Sequence, residues 1–116
     1  MFNFLRRTML WVVLLPYAVG FVGTASNQLV FVANHGKFPV EVNPVWAAQI
    51  DPSLPGGMID DRHCVMSSET HLNLLADVFN FHDKIESIGD LLLQFGEWLN
   101  GFCLFVWLAL TCRRLM

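Results

Sequence analysis

The chain has 116 residues, of which 54% are hydrophobic and only 15% are charged, against roughly 45–50% and 25% in soluble domains. A soluble chain of this size buries only about two-thirds of its unfolded surface, which leaves no interior large enough for the apolar excess. The net charge of −3, with no basic and aromatic residues interleaved, excludes a nucleic-acid partner. We therefore predict a single integral membrane domain over residues 1–116.

The first predicted element is a long apolar helix over about residues 8–34. Its apolar run is interrupted by Pro16 and by a polar stretch at 24–28. At 1.5 Å per residue the helix would measure about 40 Å, which exceeds the ~30 Å core of a bilayer. A cleaved signal peptide ending in the small residues 23–25 is the alternative. The apolar residues beyond Gln28 favour a helix that is retained.

A turn at Asn34, His35 and Gly36 is predicted to end this helix, because Asn and Gly tolerate the left-handed conformation that closes helices. Pro39 prevents the helix from resuming. Residues 35–86 are rich in proline and glycine, and they predict a long loop with short amphipathic helical turns.

One such helical turn is predicted in the second half of the loop. Ser67 stands where an N-cap would be, and an apolar spacing of about three and four residues follows it. The apolar face of this turn would consist of Leu72, Leu75, Val78 and Phe79.

The second long helix is predicted over about residues 87–112. Ser87 as N-cap, with Asp90 three residues later, is close to a capping box. Residues 91–110 form a mainly apolar run of the length that crosses a bilayer. The predicted fold is thus an all-α membrane protein with two transmembrane helices in an antiparallel hairpin.

The distribution of charge predicts the orientation of this hairpin. Basic pairs lie at its two outer ends, at 6–7 and 113–114, whereas nine of the ten acidic residues lie in 41–90. Since Lys and Arg mark the cytoplasmic side, both termini are predicted in the cytoplasm and the loop on the opposite side.

A polar stripe on the second helix is the main candidate site. Its residues are spaced by four, three and four positions, which places them on one helix face. Glu97 would lie about 15 Å into the helix, near the middle of the bilayer, where an ionisable group marks contact with protein or water. The alternatives are a proton or ion path through Glu97, or a Glu97 kept neutral by burial. If the helices pair antiparallel, Asn27 and Gln28 on the first helix lie at the depth of Gln94 and Glu97 and are expected to face them. The predicted helix-packing or partner-contact residues are Asn27, Gln28, Asp90, Gln94, Glu97 and Gly101.

Neither a metal site nor enzymatic activity is predicted. The four histidines and three cysteines show no metal-ligand spacing, and no serine lies in a nucleophile elbow. His35 lies where a pigment or haem ligand near the membrane edge could lie, but a lone histidine at a helix end is more often a capping residue. The cofactor is left unassigned, with lipid or pigment contacts through a complex as an open option.

Three ordered motifs resemble a known family. Residues 34–40 resemble a turn of the form Asn-Gly-Gly-x-(Met or Phe)-Pro-Val, residues 68–77 resemble a Pro-x-Thr-x-Leu…Leu-Gly-Asp segment, and residues 87–90 resemble the opening of the family's last element. The family is a group of bacterial multi-pass membrane proteins called domain of unknown function 5317, and the likeness to its C-terminal half covers about residues 29–93. His35 and Ala76 stand where the family pattern has Gly. The motif residues at turns are Asn34, Gly36, Pro39, Ser87, Gly89 and Asp90.

The resemblance implies a bacterial plasma-membrane setting, with the loop periplasmic or extracellular. Because the family has no established activity, it implies no catalytic residue. Typical members carry further membrane helices, so a chain resembling their C-terminal half implies a partner that covers the exposed helix faces. We expect a non-catalytic accessory or assembly subunit, contacting other integral membrane subunits of a larger respiratory or photosynthetic complex. The alternatives are a holin-like or pore-forming protein, and a proton or ion carrier using Glu97.

Overall fold

The computed structural model describes residues 2–81 and 83–115, with side chains from residue 7 onward except at 111, 114 and 115. His82 and the side chains of Arg6 and Arg114 therefore lie outside the described residues. The elements, in chain order, are helix α1 (Phe2–Ala33), strand β1 (Phe38–Val40), helix α2 (Pro44–Ala47), strand β2 (His63–Val65), a 3₁₀ turn (Asn73–Leu75), strands β3 (Phe79–Asn80) and β4 (Ile85–Glu86), and helix α3 (Ile88–Leu115).

The two long helices dominate the structure, which measures 64 × 26 × 19 Å. α1 has 32 residues and α3 has 28, so both extend beyond the predicted bounds at their outer ends. The segments Arg7–Ala33 and Ile88–Leu110 are long and apolar enough to cross a membrane. Only 11% and 6% of their most apolar stretches are buried by the rest of the chain, whereas the core helix of a soluble domain would be covered.

α1 and α3 lie against each other and run in opposite directions. A Cβ atom added at Gly23 would lie 2.6 Å from the Gly89 carbonyl oxygen, and one added at Gly96 would lie 3.1 Å from the Pro16 carbonyl oxygen. Gly23, near the end of α1, thus lies against Gly89 at the start of α3. Pro16, earlier in α1, lies against Gly96, later in α3, so the two helices are antiparallel. Glycine at these positions lets the two backbones approach closely.

Residues 34–87, which we call the cap, correct the all-α prediction. β1 pairs in parallel with β2, with Phe38 opposite His63. β3 and β4 pair antiparallel, with Phe79 opposite Glu86. Strands of two or three residues are too short to show an alternating pattern, and for this reason the sequence did not reveal them.

The amphipathic helical turn predicted after Ser67 is also wrong. Leu72 adopts a left-handed φ of 56°, which interrupts any helix there, and only a single 3₁₀ turn follows. The Thr70 hydroxyl donates to the Ser67 carbonyl at 2.8 Å, and the Asn73 amide donates to the same oxygen at 3.0 Å. These local side-chain bonds satisfy the backbone in place of helical ones.

A small core attaches the cap to the end of α1. Val30 on the helix packs with Phe38 and Ala76, and all three are buried. The rings of Phe31 and Phe38 lie 5.3 Å apart in a tilted arrangement. Because α1 contributes to this core, the cap has a fixed place above the helix pair.

Candidate functional site

A partly buried polar cluster joins the two helices where the cap leads into α3; we call its residues, Asn27, Ser87 and Asp90, the polar junction. The Asn27 side-chain amide donates to Asp90 Oδ1 at 2.8 Å. Ser87 Oγ lies 2.8 Å from Asn27 Oδ1 and 2.8 Å from Asp90 Oδ2. Its single hydroxyl hydrogen can be donated to either oxygen, but only to one at a time. The amides of Ser87 and Asp90 donate reciprocally to the other residue's side chain at 3.1 and 3.0 Å. The N-terminal cap of α3 therefore also holds α1.

The helix register differs from the predicted facing of Asn27 and Gln28 with Gln94 and Glu97. Asn27 meets Asp90, about one turn earlier on α3, and Gln28 is exposed. The positions of the glycines explain the shift, since Gly89 packs against Gly23 and its small size was not considered in the prediction. Nothing lies within 4 Å of a Cβ atom added at Gly101, which is exposed and makes no contact with α1.

Gln94 connects α3 to the cap instead of to α1. Its side-chain amide donates to Glu86 Oε1 at 2.6 Å. Glu86 is buried and also forms an ion pair with Lys84, and this hydrogen-bonded pairing raises the pKa of the lysine. Glu86 was not singled out from the sequence, and it fixes β4 over the first turns of α3.

Glu97 lies in an open groove of about 800 Å³ along one side of the helix pair; we call this the membrane groove. Glu97 and Asn100 are its polar residues from α3, and both are exposed. At nine residues beyond the start of α3, Glu97 is about 14 Å along the helix. The groove has no Lys, Arg or His among the residues that line it, which are Leu14, Pro16, Tyr17, Ala18, Gly20, Phe21, Val22, Thr24, Leu93, Gly96, Glu97 and Asn100.

A second cavity, of about 210 Å³, lies within the cap; we call it the cap cavity. Asp77 lies on its wall, held by backbone bonds from its amide to the Pro39 carbonyl at 3.2 Å and from the Glu41 amide to its carbonyl at 2.8 Å. The Asp77 side chain is buried, and its Oδ1 has no hydrogen-bond partner among the described residues. The cavity is lined by Val40, Val42, Trp46, Ile59, Asp60, His63, Asp77 and Ile85.

Burial is the main reason why the pKa of Asp77 rises to about 7. The negative charges of Asp90 and Glu86 raise it further, while His63 acts in the opposite direction. A carboxyl group with this pKa changes its charge near neutral pH, which an ordinary Asp does not do. Sequence reasoning had placed Asp77 only within a family-like motif and had not assigned it a role.

The lining of the cap cavity also contains a paired carboxylate and histidine. His63 Nδ1 lies 2.7 Å from Asp60 Oδ2, and the backbone amides of Arg62 and His63 each donate to Asp60 Oδ1 at 2.7 Å. Desolvation alone would raise the pKa of Asp60, but these hydrogen bonds outweigh it and hold the pKa below its usual value. Trp46 completes the wall from α2, whose N-cap is Asn43.

His35 occupies the closing position of α1. The Gly36 amide donates to the Phe31 carbonyl at 2.8 Å and the His35 amide to the Val32 carbonyl at 3.4 Å, which is the bonding pattern of a Schellman motif. His35 itself has a left-handed φ of 55° and an exposed side chain. The backbone conformation of His35 is that of a helix-ending residue. This role accounts for its position without the pigment or haem ligation considered from the sequence.

The described residues contain no group of three or more His, Cys, Asp or Glu side chains positioned for a metal ion. Cys64, Cys103 and Cys112 are free thiols. Cys64 is buried beside Pro39 in the paired strands, and desolvation raises the pKa of its thiol.

Together these features define a protein with two apolar helices of membrane-spanning length and a small mixed cap joined to them by polar contacts. The sequence matches the model of the family described as Family of unknown function (DUF5317) over residues 8–101, and the chain belongs to that family. The match includes most of α1, the whole cap and the first half of α3. Comparisons with curated proteins and with solved structures give no match.

Proposed function

We propose that this chain is a non-catalytic accessory subunit of a larger complex in a bacterial plasma membrane. In this proposal α1 and α3 cross the membrane as an antiparallel hairpin, with both termini in the cytoplasm. The cap lies on the periplasmic or extracellular face. A membrane helix of another subunit occupies the membrane groove.

The observation that carries this proposal is the position of Glu97. An acidic side chain at the centre of a membrane helix costs roughly 2.5–3.5 kcal/mol when it faces lipid, and such groups almost always face protein or water. Glu97 is not covered by its own chain, and Asn100 lies beside it in the same groove. A neighbouring helix with a hydrogen-bond donor or a cation at that depth would satisfy both.

The shape of the membrane groove supports a helix as its occupant. Gly20 and Gly96 contribute no side chain to its floor, and small residues at such surfaces allow close helix approach. Elsewhere both helices present large apolar side chains such as Trp11, Trp98 and Phe105, which suit lipid. The membrane groove therefore differs from the lipid-facing surface in two ways: it contains polar side chains, and its glycines leave a depression between the helices.

Site-specific photocrosslinking in native membranes tests the proposal. A photoreactive residue at Phe21, which is 75% exposed and lines the groove, should yield an adduct with another membrane polypeptide. The same residue at Leu15, which is 54% exposed and outside the groove, serves as the matched control. Glu97→Leu should abolish the Phe21 adduct. Equal adduct patterns at both positions, or an adduct only with lipid, would contradict the proposal.

The orientation is tested separately with single cysteines in a background lacking the native three. A cysteine at Ser53, which is exposed in the cap, should react with a membrane-impermeant maleimide in intact cells. A protein that keeps Cys112 as its single cysteine, exposed near the other end of α3, should react only after the cells are lysed. The reverse pattern would place the termini outside.

A further inference from the structure

We propose that the cap cavity is a binding site for a small organic ammonium ion. This site is separate from the membrane groove, so its test does not depend on whether the chain joins a larger complex. Two observations point to a ligand: a partly open cavity of about 210 Å³, and a buried carboxyl group on its wall with an oxygen that lacks a partner among the described residues.

The charge of the surroundings selects a cation. Asp77 lies on the wall, and the negative charges of Glu86 and Asp90 act on it from β4 and α3. Lys84 is already paired with Glu86, and the Asp60 carboxylate is already bonded to His63. Among the groups that act on Asp77, only His63 lowers its pKa, so an anion would meet net repulsion.

The rest of the lining selects an organic cation over a metal ion. Val40, Val42, Ile59 and Ile85 are apolar and suit an alkyl group, and Trp46 offers an aromatic ring, the preferred side-chain surface for an ammonium group. A bare metal ion would leave most of this space unfilled. The described residues also provide no set of three metal donors.

Binding is coupled to a proton at Asp77. The ammonium group pairs with the ionised carboxylate, so protonated Asp77 must lose its proton before or during binding. Because the pKa of Asp77 lies at about 7, affinity should be constant above this pH and fall about tenfold per unit below it.

The test uses the full chain in lipid nanodiscs, with n-butylammonium as the probe and 1-butanol as its neutral counterpart. The readout is the indole NMR resonance of Trp46, assigned with Trp46→Phe. Butylammonium should shift this resonance saturably at millimolar concentration, and 1-butanol should not. Asp77→Asn, which keeps Trp46 as the reporter, should weaken binding at least tenfold.

The matched control is Asp61→Asn, which removes an exposed acidic residue of the cap that does not line the cavity. It should bind butylammonium as the native chain does. Equal shifts with 1-butanol, unchanged binding in Asp77→Asn, or no saturable shift at all would each overturn the proposal.

Discussion

The side chain of Asn34 forms a pair of hydrogen bonds with the backbone of His71, 37 residues away in sequence. Asn34 Oδ1 accepts from the His71 amide at 2.8 Å, and Asn34 Nδ2 donates to the His71 carbonyl at 2.8 Å. Nδ2 also donates to the Val30 carbonyl at 2.9 Å. One buried amide group thus closes α1 and fastens the far half of the cap to it.

Asn34→Ala should therefore loosen the cap. It removes three hydrogen bonds and leaves backbone groups without partners, at an expected cost of about 2–4 kcal/mol. Amide hydrogen exchange at His71 should accelerate strongly, while exchange within α3 should change little. Asn34→Asp keeps the acceptor oxygen and should have a smaller effect on the His71 amide. Unchanged exchange at His71 in Asn34→Ala would show that the pair does not hold the cap.

His35→Gly should stabilise the protein by about 1 kcal/mol. The left-handed conformation costs an L-residue roughly 1–2 kcal/mol, and glycine avoids most of this cost. His35→Ala, which retains a Cβ atom, is the control and should bring no gain. The measurement is the apparent melting temperature in detergent. A loss of stability in His35→Gly would mean that the imidazole has a role the structure does not show.

The contact between α1 and α3 depends on particular glycines. Gly23→Ala places a methyl group 2.6 Å from a backbone oxygen of the other helix, so the helices must separate there. Gly96→Ala places one at 3.1 Å, where the backbones must shift by a few tenths of an ångström. Gly101→Ala adds the same methyl group in open space and should be neutral. Distances between spin labels on α1 and α3 should increase in the first two variants only. An equal response of all three variants would contradict the observed packing.

Ser87→Ala should weaken the polar junction. The substitution removes the N-cap of α3, which is usually worth about 1 kcal/mol. It also removes the buried hydroxyl that donates to Asn27 or Asp90. A total loss of about 2–3 kcal/mol is expected in the free energy of unfolding. Ser68→Ala, at an exposed cap position, should change it by less than about 0.5 kcal/mol. Similar losses in both variants would argue against the junction.

Asp77 should make the cap less stable as the pH rises. Its pKa is about 7 in the folded protein and ~3.9 in an unfolded chain. The folded state therefore binds the Asp77 proton more tightly than the unfolded state does. The resulting stabilisation is complete below the pKa of Asp77 in the unfolded chain. It is lost as the pH rises through the pKa of Asp77 in the folded protein. The full effect has an upper limit of about 4 kcal/mol.

Comparison with Asp77→Asn isolates this contribution from those of the other acidic groups. Asn cannot ionise, so the variant should melt at a higher temperature than the native chain at pH 8. The difference should shrink through pH 7 and level off by about pH 4. A difference between the two proteins that does not vary with pH would rule out titration of Asp77 in this range.

The sequence predicted the parts of the fold that local chemistry determines. The turn at Asn34–Gly36 follows from residues that accept left-handed backbone, and the start of α3 follows from Ser87 and Asp90 as a reciprocal cap. Both signals lie within a few residues, and the structure places helix ends within one residue of the predicted turns.

The parts that could not be predicted depend on contacts between distant residues. The pairing of β1 with β2 joins strands about 25 residues apart, and neither strand is long enough to show a period. Leu72, Leu75 and Val78 fit a helical spacing, but a left-handed Leu72 ends that pattern. The residue that Asn27 contacts depends on which glycines of α1 and α3 lie against each other. The register of the two helices is therefore set by packing and not by the matching of polar residues alone.

We propose that Glu97 lies at a contact with another membrane subunit, and native mass spectrometry tests this most directly. Protein extracted from its own membranes in lipid nanodiscs should have a mass well above the 13.2 kDa of this chain, because a second membrane polypeptide accompanies it. Glu97→Leu should release the chain alone, whereas Trp98→Leu, which changes an exposed side chain outside the groove, should leave the complex intact. A native chain that appears only at 13.2 kDa with bound lipid would contradict the claim.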